Sequence, residues 1–303
     1  MRIERIKTFR WLFNTEINMK NIGKIYIIIP VHNRVDFTKD CLASLEKQTY
    51  GQFMTVVVDD GSTDGTSEMV RSQFPEVEVL NGDGSLWWTG GINLGIEFAL
   101  KQGADYVLTL NDDTILPDNF VEKMVFWASE KPEALFGALE KDYGSKEIMY
   151  AGQLAPSWAK DQANYLLKDQ KSANLAGIQA VKIYHGRGLW IPAPVFESIG
   201  LFDTKRFPHY MADFDFTLSA SEAGFRIFCN FDAVVYSFPE ASGESIIKKK
   251  RSINTFHKHL FDVRGGGNLV NFTRFTFKHC PIHLIPPRLL VGYSRRLLGF
   301  WLN

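Results

Sequence analysis

The sequence predicts an α/β protein on a mostly parallel sheet, and three observations carry that expectation: short continuous apolar runs, helical-period stretches between them, and polar acidic loops where the runs end. Residues 25–29 read Ile-Tyr-Ile-Ile-Ile and stop at Pro30, the pattern of a strand buried on both faces. A helix is expected next, with Asp36 as its cap and Phe37, Cys41, Leu42 and Leu45 at helical spacing. A second buried strand over 53–58 then runs into Asp59-Asp60-Gly61-Ser62, closing a βαβ unit with its polar loop at the carboxyl end of the strand. The alternation continues with a helix over 64–73, a strand over 77–80, a helix over 91–101 and a strand over 106–110 that ends in Asn111-Asp112-Asp113. Ligands of open parallel sheets bind outside the carboxyl ends of the strands, and both acidic loops fall there, so they belong to one site.

Beyond Pro117 the pattern loosens. A helix is expected over 118–129, the polar stretch 141–180 is not placed, and order returns over 186–191 and 195–199. A helix over 214–223 is expected to start from Asp213 as N-cap and to stop at Gly224. The division that follows is an N-terminal extension (1–23), a first α/β half (24–116), a second half (117–240), and a helical, basic and aromatic C-terminal region (241–303). There Lys248, Lys249, Lys250 and Arg251 precede arginines interleaved with Phe, Leu, Ile and Trp. Gly265-Gly266-Gly267 lacks the strand and capped helix of a phosphate loop and reads as a flexible joint.

Bulk properties exclude several classes. The 303 residues suffice for one large α/β domain with a smaller elaboration. Thirty-four basic and 34 acidic side chains leave no net field to draw the chain to nucleic acid. Cys41, Cys229 and Cys280 are odd in number and lack the spacing of a zinc site or disulfide framework, which fits a reducing cytoplasm. Charges throughout the first twenty residues read as neither signal peptide nor membrane span, and a start at Met19 would make 1–18 an upstream extension.

The motifs carry chemistry and ordinary structural readings side by side. Asp112 and Asp113 either cap a turn before Pro117 or offer hard oxygen ligands to Mg²⁺ or Mn²⁺, whose remaining ligands would be phosphate oxygens. Asp59 and Asp60 either form a βα turn or present a carboxylate to the imide hydrogen of a uracil or thymine base, with Pro30, Val31, His32 and Asn33 as the opposite wall. His32 reads chiefly as a packing or ribose contact and less as a base. Asp213, ahead of Asp215 at a helix start, is either a cap or a rigidly held proton acceptor stabilised as an anion by the helix dipole.

Taken in order, these segments resemble the family 2 glycosyltransferases of the GT-A fold, and particularly their rhamnosyltransferase-like branch. The resemblance runs from Ile25 to about Tyr236: Pro30-Val31-His32-Asn33-Arg34, Val57 through Ser62, Asn93-Leu94-Gly95, Asn111-Asp112-Asp113, Gly200 through Asp203, and Ala212-Asp213-Phe214-Asp215. It implies inverting transfer of a sugar from a nucleoside-diphosphate donor, UDP- or dTDP-linked, to a hydroxyl acceptor in polysaccharide or glycolipid assembly. Asp213 would be the base, Asp60 would contact the nucleobase, Asp113 would be the principal metal ligand, and Asp112 would touch the ribose, donor sugar or metal. Gly186 and Arg187 would approach the donor sugar or diphosphate, and Trp87 and Trp88 either wall the sugar pocket or pack in the core.

Three positions depart from that pattern. Ala212 stands where many relatives have Glu, Ser219 where they have Arg, and Ser237 where they have a metal-binding His. His257 and His259 are named as substitutes for that histidine. The C-terminal region reads either as a peripheral contact with a membrane carrying lipid-linked acceptors, or as a tail folded on the core or serving a homodimer. The alternatives to transfer are a nucleotidyltransferase, which would need a basic triphosphate loop absent after the first strand, a non-catalytic nucleotide-sugar-binding protein, and a scaffold acting through the C-terminal region.

Overall fold

A computed structural model describes residues 22–167, 175–239 and 252–302. Most of the extension 1–23 and the basic run 248–251 lie outside the described residues. The first half follows the expected alternation: β1 (Ile25–Val31), α1 (Val35–Glu46), β2 (Met54–Asp59), α2 (Thr66–Gln73), β3 (Glu78–Asn81), α3 (Trp87–Lys101) and β4 (Tyr106–Thr109). β1 pairs in parallel with β2 and β4, and β2 with β3. Alternation along β1 divides the core: Ile25, Ile27 and Ile29 pack with Leu42 and Leu45 of α1, while Tyr26 and Ile28 pack with Ile92 and Ile96 of α3.

After β5 (Thr114–Ile115) come α4 (Phe120–Glu130), β6 (Leu135–Asp142), β7 (Ile148–Tyr150), β8 (Ile178–Val181), β9 (Leu189–Pro192), α5 (Ala193–Ile199), α6 (Ala212–Glu222) and β10 (Ile227–Ser237). One sheet runs through both halves in the order β3-β2-β1-β4-β9-β6-β10-β5, with β7 on β6 and β8 on β10. Strand β9 is antiparallel to both of its neighbours, β4 and β6, while β6 and β10 run parallel. That topology has a direct consequence for the site. The start of β9 lies beside the carboxyl end of β4 and opposite Gly137 of β6, so the preceding Gly186 and Arg187 run on toward the edge where Asn111-Asp112-Asp113 and Glu140 emerge.

Several local expectations are corrected. Asp36 sits inside the first turn of α1, whose N-cap is Arg34 without a side-chain cap. Asp213 is likewise not the N-cap of α6: Met211 caps it in a left-handed conformation, φ 76°, and Asp213 is the second helical residue. The stop at Gly224 holds, with φ +97°. Helix α3 begins at Trp87 rather than Gly91. The unplaced stretch 141–180 contains the short antiparallel strands β7 and β8.

The C-terminal region forms α7 (Ile253–Phe261), α8 (Leu269–His279) and α9 (Ile285–Leu302). It folds back on the core: Asn271 Nδ2 donates to the Tyr210 carbonyl, Arg274 donates to the Arg206 carbonyl, and Trp158 packs against Phe275. Gly265-Gly266-Gly267 is not a loose joint. Gly265 and Gly267 are buried, and a Cβ at either position would collide with the main chain or ring of His259.

Candidate functional site

The carboxyl edge of the sheet gathers the acidic loops. Asp59 ends β2 and serves its own turn, since Oδ1 accepts from Ser62 N at 2.8 Å and Oδ2 from the Ser67 hydroxyl. Asp60 serves the next connection: Oδ1 accepts from Gly84 N at 2.8 Å and Oδ2 from Trp87 N at 3.0 Å, so this carboxylate fixes the start of α3. Both are buried. His32 donates through Nδ1 to the Asp60 carbonyl at 2.6 Å, which leaves Nε2 to accept from Asn33 Nδ2. Asn33, at φ 52°, accepts from Thr63 N and donates through its own N–H to Ser62 Oγ. Pro30 and Val31 lie in register with Val58 and Asp59, so the end of β1 and the Asp59 turn form one tightly bonded wall.

Asp112 and Asp113 follow β4 and meet charges instead of main-chain donors. Arg34 reaches both, with Nε 3.4 Å from Asp112 Oδ2 and Nη2 3.2 Å from Asp113 Oδ2. Arg187 Nη2 lies 3.5 Å from Asp113 Oδ1. Asp112 Oδ2 is buried without a hydrogen-bond partner. Burial pushes the Asp112 pKa up to about 7 against the pull of Arg34, and the neighbouring Asp113 carboxylate adds to the rise. A buried carboxylate oxygen without a hydrogen bond, next to a second carboxylate, fits a hard divalent cation. No cluster of three or more His, Cys, Asp or Glu side chains suited to a metal occurs among the described residues. Asp112 and Asp113 would therefore hold such an ion with phosphate oxygens and water.

Arg187 links this loop to a second cluster that lies outside the sequence expectation. Glu140, at the end of the apolar run of β6, pairs with Arg187 Nη1, accepts from Ser237 Oγ at 2.6 Å and from His185 Nε2 at 2.8 Å. Burial alone would raise its pKa, but Arg187 and His185 hold it well below the usual carboxylate range. His185 Nδ1 accepts from Arg187 N, so its Nε2 carries the proton given to Glu140. Its ring stacks on Tyr150 at 4.3 Å between centroids. An acid at the end of an apolar run, the same signal that marks Asp59 and Asp112, was available at Glu140. Ser237 thus bonds to Glu140, while His257 lies on α7 and the buried His259 packs against Phe300 of α9.

Asp213 stands next to this cluster through the same short segment. Its Oδ2 accepts from Gly186 N at 3.1 Å and its Oδ1 from Phe214 N at 2.8 Å. Burial raises its pKa, opposed by His185 and by these two main-chain donors. Asp215, two residues on, points elsewhere: it is buried beneath α8, paired with Lys278 Nζ at 2.7 Å and His279 Nε2 at 2.9 Å. The tryptophan pair also divides. Trp88 packs where a Cβ on Gly186 would strike its ring, and its Nε1 donates to Asn111 Oδ1 at 2.9 Å. Trp87 is exposed and held at φ 56°, a backbone state that L residues rarely adopt.

The family model for glycosyl transferase family 2 matches residues 26–177. Glycosyltransferase GlyG of Streptococcus pneumoniae serotype 4 is 28% identical over 110 residues, 35% of this chain and 36% of that protein. The uncharacterized glycosyltransferase RT0329 of Rickettsia typhi is 25% identical over 209 residues, 63% of this chain and 56% of that protein. The chain thus spans between about a third and somewhat over half the length of these curated relatives. Among solved structures, TarS 1-349 of S. aureus in complex with UDP is similar with a TM-score of 0.57 at 16% identity, covering 92% of this chain and 89% of that one. A mannosyltransferase from Pyrobaculum calidifontis in complex with GDP-Man and Mn²⁺ is similar with a TM-score of 0.56 at 16% identity, covering 92% of this chain and 71% of that one. These likenesses identify the GT-A fold.

Proposed function

The chain belongs to glycosyl transferase family 2, and from that premise we propose that it moves a sugar from a nucleoside-diphosphate donor to a hydroxyl acceptor by a single inverting displacement. The observation that carries this reading is the 185–187 segment, which joins the acidic loop to the candidate base: Arg187 lies against Asp113 while Gly186 N bonds to Asp213. Group transfer needs a charge-neutralising centre and a proton acceptor a short distance apart, on either side of the reacting carbon.

In this reading residues 24–116 bind the donor and 117–240 the acceptor. The wall of Pro30, Val31, His32 and Asn33 with the Asp59-Asp60 turn holds the nucleotide; Asp60 retains lone pairs for a base imide after accepting two main-chain bonds. Asp112 and Asp113 would hold Mg²⁺ or Mn²⁺, and the chemistry such an ion would supply there is neutralisation of the diphosphate's charge. Arg34 and Arg187 already supply positive charge there and orient the two carboxylates. Exposed Trp87 offers an aromatic face to the sugar, and Trp88 supports the pocket from behind.

Asp213 takes the proton of the acceptor hydroxyl. Its raised pKa suits that role, because a base works best when its pKa approaches the working pH. Two main-chain N–H groups fix the carboxylate without neutralising it, so the Glu that Ala212 replaces is not needed to orient it. The donor is UDP- or dTDP-linked and carries a hexose or deoxyhexose, and the acceptor belongs to polysaccharide or glycolipid assembly.

The test is calorimetric titration with UDP, dTDP and GDP, with and without Mn²⁺, on the native chain, Asp113→Ala and Asp213→Asn. Metal-dependent binding that Asp113→Ala abolishes and Asp213→Asn retains is the expected result. No binding of any nucleotide under any condition would sink the donor assignment.

A further inference from the structure

Helix α9 is amphipathic in the reverse of the usual sense. Its inward side carries Arg288, Gly292, Arg296 and Phe300, and Arg288 is only 6% exposed. Both arginines are held by one carboxylate, with Arg288 Nη2 3.2 Å from Asp161 Oδ1 and Arg296 Nη1 2.7 Å from Asp161 Oδ2. They also lie over aromatic rings, Arg288 on Trp158 and Arg296 on Phe272. The outward side carries Leu290 at 72% exposure, Leu298 at 60%, Leu297 and Trp301. Positions 290, 294, 297 and 301 share one helical face, so the leucines and the tryptophan form a stripe along the helix.

The stripe is part of a larger surface. Of the fifteen large apolar side chains that are exposed among the described residues, nine lie between 252 and 302, including Ile253 and Phe261 of α7 and Phe277 of α8. That concentration is far beyond the scattered exposure normal for a protein surface and marks an interaction site. Phe256 of α7 packs on Phe300 and Trp301 of α9 at 5.3 and 5.4 Å, so α7 and α9 present their outward sides as neighbours.

Charge selects the partner. The exposed charged side chains of the C-terminal region include Lys258, Arg264, Arg274 and Arg295, all cations; Arg274 and Arg295 also donate to carbonyls of the body, Arg206 and Asp161, and Arg264 lies over Trp87. Asp262, the one acid among the described residues from 252 onward, is paired with Arg264. A symmetric contact with a second copy would set cations against cations. A bilayer with anionic headgroups accepts both features at once, since leucine and tryptophan enter the acyl boundary while lysine and arginine reach the phosphates. No described helix is long and apolar enough to cross a membrane.

We infer that α7 and α9, with the outward side of α8, form a docking surface for the interface of an anionic phospholipid bilayer. The inference goes beyond the transfer reaction and stands or falls separately from it. Helix α8 also ties this surface to the body of the protein, because Lys278 and His279 hold Asp215 in the helix that carries Asp213.

The experiment is vesicle flotation of the full chain with phosphatidylcholine alone and with phosphatidylcholine plus phosphatidylglycerol. The native chain is compared with a combined Leu290→Ser, Leu298→Ser and Trp301→Ser variant, whose side chains are exposed, and thermal melting checks that the variant is folded. Native chain that floats only with the anionic vesicles, is released by salt, and loses about tenfold or more of its partitioning in the variant is the expected result. Equal flotation of variant and native chain, equal binding to neutral and anionic vesicles, or a native dimer in light scattering that the variant dissolves would each overturn it. Calorimetric UDP binding on the same preparations keeps the two readings apart. A chain that binds nucleotide without floating overturns the docking surface alone; one that floats without binding nucleotide overturns the donor site alone.

Discussion

The same dipeptide comes at the carboxyl ends of β2 and β4, the two strands that flank β1, and the two copies live in opposite surroundings. Asp59 and Asp60 accept from neutral donors of the loops they brace: Ser62 N, the Ser67 hydroxyl, Gly84 N and Trp87 N. Asp112 and Asp113 face guanidinium groups, and one buried oxygen of Asp112 has no hydrogen bond. A carboxylate with main-chain donors stabilises a turn, whereas one kept in reserve beside a charge is available to a ligand. A second pair reverses the partners: Asp213, the proposed base, is held by two main-chain N–H groups, while the buried Asp215 is enclosed by Lys278 and His279.

The sharpest separation of the two classes comes from Asp213→Asn set against Asp215→Asn. Removing the proposed base should lower the transfer rate by about a thousandfold at unchanged nucleotide affinity, as loss of a general base does. Removing Asp215 should lower the melting temperature instead, because Lys278 and His279 lose their anion. Comparable rate losses in both would erase the distinction.

Arg187→Met tests the charged side of the comparison. It leaves Glu140 and Asp113 buried without their shared cation, and urea unfolding should register a loss of about 3 kcal/mol. An unchanged midpoint would mean that the carboxylates find other partners.

Asp60→Ala tests the main-chain side. Two buried donors, Gly84 N and Trp87 N, lose their acceptor, and the expected cost is about 2 kcal/mol of stability. If the melting curve instead stays put while nucleotide affinity drops, Asp60 belongs with the ligand-facing class.

The smallest effect concerns pH and lies beside Trp87. Burial, reinforced by Arg264, lowers the pKa of His209 from its ordinary 6.5 to about 4, and its ring packs edge-on to Trp87. The unfolded chain therefore takes up a proton that the folded chain refuses. Stability from this group is present above pH 6.5 and is lost as the pH falls toward 4. His209→Gln should flatten that part of the stability profile by less than the total acid loss, measured as the native-minus-variant difference in unfolding free energy.

Legibility followed burial. Strands β1, β2 and β4 stand out because both of their faces are covered, which writes them as largely apolar runs, those of β2 and β4 leading into acids. Strands β7 and β8 are short, antiparallel and partly exposed, and leave no comparable run within 141–180. Helix α6 was found but its start was misplaced. Asp213 resembles a cap in the sequence, yet the left-handed turn at Met211 begins the helix earlier. Glu140 carried the strand-end signal, whereas His185 carried none of its own, since its importance comes from Glu140, Tyr150 and the neighbouring Asp213.

The sequence by itself determined the parallel first half of the sheet, the edge where its acidic loops meet and the family to which the chain belongs, because these depend on local runs and their order. Only the tertiary structure decided which carboxylates are used up and which remain available. That outcome depends on partners distant along the chain: Gly84 and Trp87 for Asp60, Arg34 and Arg187 for Asp113, Lys278 and His279 for Asp215. The antiparallel insertion of β9 brings Arg187 to the acidic edge, and the return of α8 onto α6 covers Asp215; both arise from long-range pairing that no window of sequence contains.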